Sequence, residues 1–146
     1  MDLPGRGSID DESQADGALL FSFQTYTEPT KFFKLDMTNY SIETFFDSKF
    51  FKKKTNYDPD DYISDHIEFE SKDGTKVPLS IIRKKETLPN LDEPKGPILT
   101  HLTAYGGFGN SKKPEFSPSN LVFFNNLGGV LVIAHIRGGG EKGLNW

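Results

Sequence analysis

Residues 97–110 read PILTHLTAYGGFGN. A nearly unbroken apolar run reaches Ala104 and then meets a loop of two glycines and a Phe. A strand of that composition is one covered on both faces, as in layered sheets with parallel strands. A glycine loop at such a strand end has three possible jobs. It can cradle a phosphate, hold an oxyanion, or simply turn a corner.

Downstream, Gly129–Ile136 is a second apolar strand-like run. Between the two, Ser117-Pro118-Ser119 reads as a helix start, since Pro suits the first turn. Leu121, Val122, Phe124 and Leu127 give the short helix its apolar positions, and Gly128-Gly129 end it. The resulting β-α-β is long enough for a right-handed parallel crossover. Upstream, Ile63–Ser71 and Lys76–Lys84 flank Lys72-Asp73-Gly74-Thr75. Asp-Gly between alternating strands signals a hairpin, because Gly accepts the positive φ of tight turns. A polar loop follows over roughly 86–96.

Residues 18–48 follow a different pattern. Phe21 and Phe23 alternate with Ser22 and Gln24, the period of a half-buried strand. Lys31–Asp36 and Ile42–Phe46 continue an antiparallel meander of three short strands. One meander cannot bury both faces, so it belongs in a sandwich or a propeller blade. No second copy occurs in the sequence, which places any repeat array outside it. The change near residue 60 marks a domain boundary.

Composition removes several function classes. The net charge of −4 leaves no basic footprint for nucleic acid, and Lys52-Lys53-Lys54 is too short to make one. There is no Cys, hence no disulfide, thiolate zinc site or Cys nucleophile. No run of about eighteen apolar residues is present for a membrane span. The polar, acidic start MDLPGRGSIDDESQADG carries no secretory or transit signal, which makes the cytoplasm the default compartment.

The second glycine loop, Arg137-Gly138-Gly139-Gly140-Glu141-Lys142-Gly143, satisfies G-x-G-x-x-G after a strand. A dinucleotide site also needs that loop to open a helix and an acid about twenty residues later. The pattern alone is weak. A P-loop fails outright, since no Gly-Lys-Ser/Thr follows. For Tyr105-Gly106-Gly107-Phe108 the residues leave two options open. Tyr105 and Phe108 are packing aromatics around a turn, or Tyr105 offers its hydroxyl to an oxyanion in a loop placed as in α/β-hydrolases.

The stretch Ala104–Phe108, followed by GGVLVIAHIRGGGEKG at 128–143, resembles the prolyl oligopeptidase family of serine peptidases. That family carries Y-G-G-F and, some thirty residues on, a G-G-V-L strand running into I-R-G-G-G-E-x-G. SKDGTKVPLSIIRKK at 71–85 is similar to its hairpin, and ALLFSFQTYTEPTKFFKLD at 18–36 to its last propeller blade. The resemblance implies an α/β fold: residues 1–60 as the end of a β-propeller, and 61–146 as the start of an α/β-hydrolase domain cut before the nucleophile elbow. It implies hydrolysis of short peptides on the carboxyl side of proline by a full-length monomer without cofactor or metal. It implies that Tyr105 donates to the oxyanion and that Phe108 lines the substrate pocket. Ala104, His135 and Lys142 depart from the family's usual Gly, Asn and aromatic residue.

The chemistry also needs a nucleophile, a base and an orienting acid. No Ser lies in G-x-S-x-G; Ser80 sits between Leu79 and Ile81 inside a strand. His66, His101 and His135 are candidates by residue type alone, each in or beside a strand. Asp58, Asp60 and Asp61 form an acidic cluster that caps, turns or weakly binds a cation. The chain by itself is therefore expected to be inert and, with open strand edges, poorly soluble. The rival reading is a β-rich binding module or pseudo-enzyme with an α/β appendage.

Overall fold

The computed structural model describes residue 3, residues 5–47, 57–94 and 96–146. The Lys52–Lys54 run lies outside the described residues. The chain is mostly sheet and divides into two compact units. One comprises Met1–Pro59 with Lys113–Ser117, the other Asp60–Lys112 with Pro118–Trp146. Lys113–Ser117, which the sequence reading leaves in the second half, thus belongs with the first unit.

The first unit is a four-stranded antiparallel sheet in the order β1 (Ser8–Ala15), β2 (Ala18–Gln24), β3 (Lys31–Asp36), β4 (Ile42–Phe46). The sequence reading has three strands here and misses β1. Its composition, SIDDESQA, hides it, but the turn after it does not. Asp16 and Gly17 adopt φ of 48° and 75°, the two-residue hairpin connection that Asp-Gly favours. The inward face buries Phe21, Phe23 and Phe33. Phe21 stacks on Phe33 at 5.5 Å and Phe23 meets it edge-on at 6.5 Å. Each buried ring contributes about 2–3 kcal/mol.

The second unit is a mixed sheet in the order β5 (Tyr62–Glu70), β6 (Lys76–Lys84), β8 (Val130–Ala134), β7 (Thr100–Ala104). β5 and β6 form the expected hairpin with Glu70 opposite Lys76, and β6 runs antiparallel to β8. β7 and β8 are parallel, Thr100 opposite Val130 through Ala104 opposite Ala134. Helix α1 (Pro118–Leu127) connects them and buries Leu121 and Phe124. Phe124 packs against Tyr62 at 5.8 Å, and the Tyr62 hydroxyl donates to Asn125 Oδ1 at 2.8 Å.

One expectation is corrected. The sequence reads 97–104 as a strand covered on both faces, yet β7 is the edge strand of its sheet among the described residues. Leu99 is 55% and Leu102 65% exposed. Thr100, His101 and Thr103 interrupt the apolar run, and β7 pairs with β8 alone among the described residues. Asp58, Asp60 and Asp61 surround a short 3-10 turn, Pro59–Asp61, whose last carbonyl accepts from Lys85 N at 2.9 Å. No group of three metal-ligating side chains occurs among the described residues, and none of their helices is long and apolar enough to cross a membrane.

Candidate functional site

Because β7 and β8 are parallel and in register, the loops that follow them leave the sheet at the same end. Both loops are glycine-rich, and they lie against each other. Gly109 N donates to Gly138 O at 3.0 Å, and Asn110 N closes the first loop on Gly107 O at 3.0 Å. A Cβ on Gly106 would fall on the Arg137 carbonyl, and one on Gly138 would fall on the Gly106 carbonyl. A Cβ on Gly140 would likewise strike the Gly109 carbonyl. The glycines are thus needed where two backbones touch, more than for turning alone. Gly109, Ser111, Gly138–Gly140, Gly143, Leu144 and Trp146 enclose a cleft of about 310 Å³.

Tyr105 is part-exposed at the end of β7, and its ring folds back over Gly107. Lys112 Nζ stands 5.8 Å from the ring centroid. Phe108 points into solvent, 95% exposed, with φ of 57°. A bulky side chain in the left-handed region costs about 1–2 kcal/mol, a cost that tends to survive at functional loops. The structure therefore brings Tyr105 and Phe108 into one loop, beside the Arg137–Gly143 turn. Residues 137–142 and 144–145 are turn and bend among the described residues.

The hairpin holds the second loop in place. Arg137 pairs with Asp73 and bonds Thr75 and Ser71 in the Asp-Gly turn. Arg137 is the main cause, with the Thr75 amide second, that holds the Asp73 carboxyl down at about 2. Lys142 Nζ reaches Glu68 at 2.9 Å and the Lys76 carbonyl at 2.7 Å, and it lies 5.0 Å from the Trp146 ring centroid.

A row of polar groups crosses the sheet beneath these loops. His66 pairs with Ser80 across β5 and β6, its Nδ1 3.4 Å from Ser80 Oγ. Ser80 Oγ lies 2.8 Å from His135 Nε2, and His135 Nδ1 lies 3.5 Å from Glu141 Oε1. The order is that of a Ser-His-acid relay, but His135 Nδ1 makes no hydrogen bond among the described residues. Ser80 is 5% exposed inside a flat strand, however, with no sharp elbow to present its hydroxyl. It ties strands together and has no place as a nucleophile. Sequence reading misses the row. The hairpin register, fixed by the Asp-Gly turn, was the signal that His66 faces Ser80. His101 lies apart, edge-on to Phe123 at 6.2 Å.

The chain was compared with known proteins. No family model matches it. A prolyl endopeptidase of Elizabethkingia meningoseptica is 34% identical over 99% of this chain, and the match spans 19% of that relative. The chain belongs to the prolyl oligopeptidase family. A dual function macrocyclase-peptidase of Galerina marginata is 43% identical over 64% of the chain and 12% of its own length. Among solved structures, one from work on two prolyl endopeptidases superposes with a TM-score of 0.79 at 26% identity, covering 97% of this chain and 20% of that one. Prolyl oligopeptidase B from Galerina marginata, bound to a 35mer hydrolysis and macrocyclization substrate, gives 0.74 at 32% identity over 97% of this chain and 19% of that one. The chain thus spans about a fifth of the length of the prolyl oligopeptidase relatives it matches end to end.

Proposed function

We propose that this chain is the section of a proline-specific serine endopeptidase that joins the last propeller blade, residues 1–60, to the opening of an α/β-hydrolase domain, residues 61–146. In that reading Tyr105 is one arm of the oxyanion hole and Phe108 a wall of the substrate pocket. Residues outside this sequence supply Ser, Asp and His. The substrates are short peptides cleaved after proline, and no cofactor is required.

The observation that carries the reading is the placement of Tyr105-Gly106-Gly107-Phe108. The loop leaves the end of a parallel strand, with a part-exposed phenol on a backbone held by a second loop. A donor aimed at a developing oxyanion contributes about 3 kcal/mol to the transition state and little to substrate binding. Tyr105→Phe in the full-length protein is therefore expected to lower kcat on a proline-containing fluorogenic peptide about 100-fold, with KM nearly unchanged. An unchanged kcat would sink the assignment.

A further inference from the structure

We propose that Glu141 is a positioning residue that fixes the exit of the Tyr105–Lys112 loop. The proposal rests on the oxyanion reading for its catalytic meaning and on geometry for its mechanics. Glu141 lies in the second glycine loop, yet its Oε1 accepts the backbone N–H of Lys112 at 2.8 Å, twenty-nine positions earlier. Its side chain is only 11% exposed. Oε2 has no hydrogen-bond partner among the described residues and lies against Gly139, where a Cβ would strike it. A buried carboxylate with an idle oxygen is costly to keep, and a surface contact would serve equally well if the loop needed no fixed position.

A polar row lies behind the carboxylate. Its hydrogen bonds run as far as His135. His66 Nδ1–H points to Ser80 Oγ and the Ser80 hydroxyl donates to His135 Nε2, while His135 Nδ1, 3.5 Å from Glu141 Oε1, makes no hydrogen bond among the described residues. The imidazole is further fixed by its backbone, whose N–H donates to Pro78 O at 2.9 Å and whose carbonyl accepts Trp146 Nε1 at 3.0 Å. Hydrogen bonds thus link β5, β6 and the residue after β8, and Glu141 separately holds the amide that ends the first loop. The Gly109 amide bond to Gly138 gives the second tie between the loops. β7 holds the backbone before Tyr105, and both ties hold it beyond Phe108.

The test is the protection of the Lys112 amide against hydrogen exchange, read by mass spectrometry at single-residue resolution on the full-length protein, with Val132 in β8 as the reference. Glu141→Ala is expected to lower Lys112 protection roughly tenfold or more and leave Val132 unchanged, because a bond to a charged acceptor is lost. Glu141→Gln keeps an acceptor oxygen and is expected to restore most of that protection. Unchanged Lys112 protection in Glu141→Ala overturns the proposal. So does loss of Val132 protection in both variants, since Glu141 would then be supporting the sheet as a whole. The readout needs no turnover. If Lys112 behaves as expected while Tyr105→Phe leaves kcat intact in the full-length protein, the positioning stands and the oxyanion reading falls.

Discussion

At the scale of single residues, glycines with positive φ are not equivalent, and substitution separates one in a hairpin turn from one in the paired loops. Gly17 has φ of +75° in open space, whereas Gly138 has φ of +90° and faces the Gly106 carbonyl. Gly17→Ala is expected to cost about 1 kcal/mol of stability, the price of the left-handed region alone. Gly138→Ala is expected to cost about 3 kcal/mol, because a methyl group must also displace backbone. Urea unfolding of the two variants checks this; equal losses would mean that the loops separate easily. Sequence reading recognises in Gly106 and Gly107 a loop that turns a corner or holds an oxyanion. It does not show that the space beside Gly106 is taken by Arg137, because that contact joins loops thirty residues apart. Tyr105 and Phe108 are legible as a pair through their motif. Glu141 is not, since its partner is a backbone amide.

At the scale of elements, hairpin β5–β6 positions the second loop, and two groups on it can be tested. Arg83 is buried on β6; it pairs with Asp65 at 2.9 Å and donates to the Leu88 and Pro89 carbonyls. Arg83→Ala leaves those carbonyls and Asp65 unsatisfied and is expected to destabilise by about 3 kcal/mol. It should also expose the 86–94 loop to limited proteolysis before any other site; an unchanged cleavage pattern would count against this. Asp73 gives a pH prediction. Its folded carboxyl lies at about 2 against an ordinary 3.8, so the Arg137 clamp contributes fully above pH 3.8 and is lost as pH falls through 2. A carboxyl carbon titration should place the Asp73 midpoint near 2, and Arg137→Gln should move it up toward 3.8. The hairpin, β3, β4 and helix α1 are legible because turn residues and apolar period agree. β1 is not, since acidic residues fill it. The exposure of β7 depends on sheet order, which its own letters do not encode.

At the scale of the whole molecule, the sequence holds a candidate oxyanion loop and no nucleophile elbow. The 146-residue chain is expected to show no turnover of a proline-containing fluorogenic peptide. Turnover that Tyr105→Phe abolishes would overturn this and point back to a site within the chain. Family membership and the end-to-end match to peptidases about five times longer weigh against the rival reading of a free-standing binding module. The motifs that carry membership, Y-G-G-F and I-R-G-G-G-E, are the two loops that the fold brings into contact. Their spacing in sequence reports one helix and one strand between two neighbouring strand ends.

Phe108 and Gly109 follow one another with φ of 57° and 68°, so this short stretch of the loop winds with the hand opposite to a normal helix. A mirror-image amino acid prefers that winding. In a chain assembled by chemical synthesis and ligation, D-alanine at 108 would suit the backbone better than L-alanine does. The stereocentre at 108 thus offers a way to ask whether the loop is kept for the path of its backbone or for the ring it displays.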